Sequence, residues 1–371
     1  MKQRSATGPL RIFVGDRSSF SSALPTPFVY PWWGKPPEDS RDPAAGRFDD
    51  YIKVARIRFN RSDLAGCDVA VLPFDWNETE ENPSLRREAE QFLEAARMAG
   101  KRVVVFYLSD SDRPLRFENA VIFRSSLYES KRLKNEYALP GWSEDLGWRY
   151  REKKIDIRRW QERPVVGFCG FAPSPTWRKI LKRRFGKILN KAWEDATIRN
   201  RALKLLSEDA RIKPNFIRRN EFLAGALAGG DRTDYAVLQR SRKEFAENTL
   251  QSDYVLCARG AGNFSYRLYE TLCCGRIPVF VNTDCVLPFE DRIAWKRLCV
   301  WVEAEDLPMI GTTIAGFHKN LEPEGFKVLQ KECRSAWLDH LSPKGFFSTL
   351  HTQLLELIKS EGDQPLRKGW L

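Results

Sequence analysis

Short apolar runs, separated by polar stretches rich in Gly and Pro, set the rhythm of the chain. Leu10–Val14 (LRIFV), Val69–Leu72, Val103–Leu108 and Ala120–Phe123 are strand-sized runs of β-branched and aromatic residues. Between the second and third lies SLRREAEQFLEAARMA (84–99), whose Leu85, Ala89, Phe92, Leu93 and Ala96 share one helical face. Ser84 is placed to cap its start and Gly100 its end. The pattern restarts at Val165–Cys169, followed by the Gly/Pro loop Gly170–Thr176 and a Lys/Arg-rich helix over Trp177–Trp193. Asp253–Cys257, Ile277–Val281 and Cys299–Val302 complete the second set of strands. Strands alternating with helices predict parallel sheets covered on both faces. The polar, Trp-bearing stretch 135–162 reads as a connection between units. The expected fold is therefore α/β, with two Rossmann-like domains over 1–160 and 161–345, and a C-terminal helix and tail (346–371) free to pack back on the first.

Composition narrows this only a little. With 371 residues, 42% hydrophobic, 12 Trp and 23 Phe, the chain has ample material for two cores and is not a disordered segment. A formal net charge of +12 attracts anions in general: nucleic acid, anionic membrane, nucleotide-sugars or acidic glycans. No helix-turn-helix, zinc or RNP-like motif supports nucleic acid, so none is expected as a partner. The eight Cys form no CxxC pair and no Cys/His cluster, and read as buried reduced thiols. The N-terminus MKQRSATGPLRIFVGD lacks the apolar run of a signal peptide, and no apolar stretch is of membrane-spanning length. The expectation is a cytoplasmic protein, with peripheral contact at an anionic inner-membrane face open to its basic surface.

The chemistry concentrates in SDYVLCARGAGNFSYRLYETLCCGRIPVFV (252–281). This reads as a strand, a Gly-bearing loop (Arg259–Asn263), a helix (264–274), a Gly cap and a second strand. Such a turn puts free N–H groups and the positive end of a helix dipole at the carboxyl edge of a sheet, which binds phosphate. Gly260 and Gly262 allow close backbone approach, Arg259 and Arg267 supply cations, and Ser265 lies at the helix start. Glu270 is one turn beyond Arg267 and can accept from ribose hydroxyls; alternatively the two form an ordinary surface ion pair.

With its continuation to Asp306, this run resembles the signature region of exostosin-type glycosyltransferases. The resemblance rests on Ser252, Leu256, Arg259, Gly260, Ser265, Arg267, Glu270, Leu272, Ile277, Pro278, Val279, Leu287, Pro288, Phe289, Asp291, Ile293 and Trp295, with Tyr254 and Ala258 departing from the usual Phe and Pro. Weaker likenesses lie at Asn135, Glu136 and Pro140, and over Arg334–Phe347. The resemblance implies a GT-B fold and inverting transfer of a sugar from a nucleotide-sugar, with a UDP-sugar expected, to a glycan or lipid-linked acceptor. It implies that Arg259 and Arg267 face the diphosphate, with Ser265 beside it and Glu270 on the ribose. No tightly bound cofactor and no metal is expected: Asp49-Asp50 and Asp110-x-Asp112 are the nearest approaches to a cation motif, and the second reads better as a solvated turn. Gly170, at the first strand end of the second domain, would face the same crevice. The segment Leu287–Trp295 supports the resemblance without a role that its residues reveal.

Inversion calls for a base to take the acceptor proton. Asp16, which follows LRIFV and a Gly, is the candidate; Asp75, with Glu78 behind it, is a second possibility, and Asp16 is equally readable as a turn residue. The aromatic run Phe28–Trp33 could stack on a sugar or plug the fold. His318, His340 and His351 read as structural. Two other functions remain open: a GDP-sugar-dependent transferase such as a fucosyltransferase, and a non-catalytic binder of nucleotide-sugar or glycan.

Overall fold

A computed structural model describes residues 8–20, 22–150, 155–173, 191–227 and 233–362. The first unit is a six-stranded parallel sheet of β1 (Leu10–Phe13), β2 (Phe59–Arg61), β3 (Val69–Val71), β4 (Val103–Tyr107), β5 (Ala120–Arg124) and β6 (Glu136–Ala138), in the order β2-β1-β3-β4-β5-β6. The second is a five-stranded parallel sheet of β7 (Val165–Phe171), β8 (Lys213–Arg219), β9 (Tyr254–Cys257), β10 (Ile277–Asn282) and β11 (Val300–Glu303), ordered β11-β10-β9-β7-β8. Counted from its own first strand, the first sheet runs 2-1-3-4-5-6 and the second 2-1-3-4-5. Strand order therefore reverses between β1 and β3, and again between β7 and β9, and crevices outside the carboxyl ends at such reversals are where doubly wound folds bind ligands.

The helices that matter here are α1 (Asp49–Arg58), α2 (Pro83–Met98), α3 (Lys191–Glu208), α4 (Tyr235–Leu250), α5 (Tyr266–Cys273), α6 (Ile310–Ala336) and α7 (Pro343–Gly362). Helix α2 buries the five apolar residues its spacing singled out. Its cap is a correction: Asn82, not Ser84, accepts from the Leu85 N–H, with Pro83 as the first helical residue. Gly100 takes the left-handed conformation (φ +64) that ends the helix.

The carboxyl ends of the two sheets face each other. Just past β5, Ser126 Oγ accepts from the Asn263 N–H (2.9 Å), and the Asn263 side chain donates to the Leu127 carbonyl (3.2 Å). Helix α7 crosses to the first sheet, where Phe347 stacks on Tyr51 (4.0 Å between centroids) and meets Phe28. Phe289, held at φ +52 in a turn that the Trp295 indole closes onto the Pro288 carbonyl (2.8 Å), packs on Phe346. The Leu287–Trp295 segment thus has a structural role, seating α7. Two doubly wound sheets meeting across a cleft form the GT-B architecture.

Several readings need correction. The stretch 135–162 is not merely a connection: it contains β6, whose Glu136 is buried against Arg124. Strands β2 and β8 and helices α1 and α4 escape the periodicity. Of the Phe28–Trp33 run, Phe28 and Val29 are fully buried and Phe28 meets Phe59 and Phe106, so this run largely plugs the fold. The expected basic helix over Trp177–Trp193 lies largely outside the described residues. His318 is structural, bonded to the Tyr254 hydroxyl and the Gln161 carbonyl and stacked on Trp160. No described helix is long and apolar enough to cross a membrane.

Candidate active site

The motif 252–281 divides between scaffold and site. Ser252 and Asp253 are scaffold: Ser252 Oγ donates to the Asn248 carbonyl, and Asp253 binds the Val165 N–H (2.7 Å) and Arg158, fixing the start of β7 beside β9. Beyond β9 the chain opens into the loop Arg259–Phe264, closed by a hydrogen bond from the Gly260 N–H to the Phe264 carbonyl (3.1 Å). Ser265 is the N-cap of α5, in extended conformation, and its side chain makes no capping hydrogen bond. The first-turn N–H groups of α5 consequently lack the side-chain acceptor that caps usually supply.

Arg267 reaches from α5 across the β7/β9 reversal. Its Nη2 donates to the Cys169 carbonyl (3.0 Å), and its guanidinium lies over the Phe168 ring (4.4 Å). Among the described residues no carboxylate comes within ion-pair distance of it, and its buried Nε has no partner. Burial pulls its pKa below the ordinary arginine value. A half-buried guanidinium with an unpartnered Nε, beside a helix start whose cap makes no side-chain hydrogen bond, is an arrangement that an anion completes.

Gly170 explains how the guanidinium fits. It sits at φ +144, and a Cβ there would lie 2.7 Å from Arg267 Nη2. Gly170→Ala is therefore expected to cost about 1–3 kcal/mol through backbone strain and displacement of the arginine. Gly260→Ala, where a Cβ meets nothing within 4 Å, should cost less. Urea unfolding of the two variants compares them directly; equal losses would mean that the strain at Gly170 is not real.

The other predicted residues are placed as follows. Arg259 donates through Nη1 to the Tyr128 hydroxyl (2.6 Å), bridging the domains. Gly262 is so close to the first domain that a Cβ would meet Asp110 Oδ1 at 2.7 Å. Glu270 does not pair with Arg267, which removes the surface-pair reading. It is buried and bonded to Arg242 of α4 (2.8 Å), which also holds Glu144 (3.0 Å). Burial opposes the Arg242 charge, but the two carboxylates outweigh it and raise the pKa above that of a free arginine. Asp16 is not brought to the donor loop. Its side chain is 83% exposed, and among the described residues its ion pair is with Arg61 (3.7 Å). Asp112 pairs with Lys131.

Sequence reasoning missed Arg242 and Arg199. The latter donates to the carbonyls of Phe171 (2.7 Å) and Arg259 (2.6 Å), locking the two loop starts together. Arg242 did carry a signal: it stands three residues before Phe245 on a helix face that buries Ser241, Phe245 and Thr249.

Residues 188–317 match the model of the Exostosin GT47 domain. A "Probable glucuronosyltransferase" of Oryza sativa subsp. japonica is 38% identical over 71 residues, 19% of this chain and 17% of that protein. A "Probable beta-1,4-xylosyltransferase" of Arabidopsis thaliana is 36% identical over 70 residues, again 19% and 17%. These alignments thus span about a sixth of the relatives' length. The crystal structure of TarM aligns with a TM-score of 0.34 at 10% identity, over 68% of this chain and 54% of that one. What the chain shares with these proteins is thus a likeness to the Exostosin GT47 domain over residues 188–317.

Proposed function

We propose that the chain is a glycosyltransferase that moves a sugar, with inversion, from a nucleotide-sugar to a glycan or lipid-linked acceptor. The observation that carries this is Arg267: a half-buried arginine with no carboxylate at ion-pair distance among the described residues, at the β7/β9 reversal beside the N-terminus of α5. A nucleoside diphosphate supplies the missing charge. In this reading Arg267, Arg259 and the N–H groups at the start of α5 hold the diphosphate and stabilise the charge it gains as it leaves. Gly262 brings that loop against the first domain, and Gly170 leaves room for Arg267. Glu270, oriented by Arg242, accepts from the ribose. These fixed cations do the work that a divalent metal does elsewhere, so the reaction needs none.

The names of the relatives make UDP-glucuronic acid and UDP-xylose the first donors to try. UDP, and not GDP or CMP, is expected to raise the melting temperature, because a ligand of the native state stabilises it by mass action. Arg267→Ala should weaken UDP binding at least tenfold, in line with the roughly 1.5–3 kcal/mol of a hydrogen bond to a charged group. A wild-type response in Arg267→Ala would mean the donor site lies elsewhere. A response to GDP instead would select a GDP-sugar enzyme, and UDP binding without turnover a non-catalytic binder.

A further inference from the structure

The donor half of the cleft leaves open which group takes the acceptor proton. Three carboxylates cluster at the carboxyl ends of β3 and β4 besides the exposed Asp110: Asp75, Glu78 and Glu80. Two are already committed. Glu78 accepts from the Leu24 N–H (3.0 Å) and Glu80 from the Tyr107 hydroxyl (2.5 Å). Asp75 differs. Its Oδ1 accepts from both the Asn77 N–H and the Leu108 N–H, each at 3.0 Å, which ties the end of β3 to the end of β4 and fixes the carboxylate plane. Its Oδ2 has no protein hydrogen bond among the described residues.

The position is the right one. Leu108 leads into Asp110, which lies against Gly262 of the donor loop. Across the cleft stands Tyr266, the first residue of α5 and 45% exposed; it feels the charges of Asp75, Asp110 and Glu270, and of Arg47. One edge of the first sheet therefore presents Asp75 to the helix start that carries the phosphate-facing groups.

We propose that Asp75 is the general base of the transfer reaction, an inference that rests on the function proposed above. Asp75 Oδ2 takes the proton of the acceptor hydroxyl as its oxygen bonds to the anomeric carbon. The bond from that carbon to the diphosphate oxygen breaks, and its electron pair leaves with the nucleoside diphosphate, beside Arg267 and Arg259. Burial, with Glu78 and Glu80 adding to it against the two backbone hydrogen bonds, pushes the Asp75 carboxyl up to about 6. That makes it a stronger base than an exposed carboxylate yet leaves it ionised at neutral pH. Asp110, by contrast, is exposed.

Asp75→Asn is the test, because the amide oxygen can keep both backbone hydrogen bonds and Asn is itself a good cap. UDP release from UDP-xylose and UDP-glucuronic acid is followed with xylo-oligosaccharides or water as acceptor, beside the UDP-induced thermal shift. The expected result is a fall in kcat of about 10²–10⁴-fold with the UDP shift unchanged. Wild-type kcat should rise with pH through about 6, as the base loses its proton, and the residual activity of Asp75→Asn should lack that limb. At pH 7.5 the variant should be no less stable than wild type, whereas loss of a purely structural cap would lower its melting temperature. Retention of more than a tenth of the activity with the UDP shift intact would sink the base assignment alone, as would a collapse in Asp110→Asn or Asp16→Asn but not in Asp75→Asn. Absence of any nucleotide shift in the wild type would take both readings down together.

Discussion

Arg242→Met should cost about 3–5 kcal/mol of stability at neutral pH, the usual loss when one partner of a buried ionic group is removed. Arg242 is the cation of a three-member cluster whose carboxylates, Glu144 and Glu270, are both buried. Methionine fills much the same volume, so packing changes little. What changes is that two carboxylates remain in the interior without a counter-ion. Their folded-state pKa values should then rise above the unfolded ones. A raised carboxyl pKa means more protons bound in the native than in the unfolded state, so stability falls as pH rises through that window and recovers toward acid. Urea unfolding at pH 5 and pH 8 should therefore show a much larger deficit at pH 8. The nucleotide response should weaken too, since Glu270 loses the group that orients it. A deficit independent of pH would mean that the loss is one of packing, not charge.

This cluster also marks where the sequence ceases to be legible. Strands β4, β5, β7, β9 and β10 are continuous aliphatic and aromatic runs, because both faces of a covered parallel sheet are apolar. Strand β8, KPNFIRR, is an edge strand paired on one side, and its charged residues erase the signal. Strand β2 is too short to show a period. The donor loop was readable because Arg259, Gly260, Gly262, Ser265, Arg267 and Glu270 lie within twelve positions on one strand–loop–helix turn. Arg242, Glu144 and Arg199 were not, because their partners are 28 to 98 positions away and only the folded chain brings them together. The choice between Asp16 and Asp75 has the same cause. Both follow a strand at the carboxyl edge of the first sheet, but only Asp75 is held by the neighbouring strand's Leu108 N–H, while Asp16 turns out to solvent.

The second large effect belongs to Arg124, and it ties the edge of the first sheet to the cleft. Arg124, at the end of β5, is 2% exposed and pairs with Glu136 of β6 at 2.6 Å. It also donates to the carbonyls of Ser111 (2.7 Å) and Arg113 (3.1 Å), and its guanidinium lies over Tyr107. Glu136 in turn accepts from the Leu133 N–H (2.9 Å). Arg124→Met strands Glu136 and frees two loop carbonyls, so a loss of about 3–5 kcal/mol is expected in urea unfolding. Adding Glu136→Leu should recover part of it, because a buried pair replaced by apolar residues is often neutral, whereas one partner left alone is not. The recovery cannot extend to the loop over 108–113, whose Ser111 and Arg113 carbonyls have still lost their donor. That loop begins at Leu108, the residue that fixes Asp75, and carries Asp110 against Gly262. The double variant should thus regain stability while its Leu108 amide exchanges faster with solvent and its transfer rate stays depressed. If stability and rate return together, Arg124 serves the sheet alone and the loop needs no anchor.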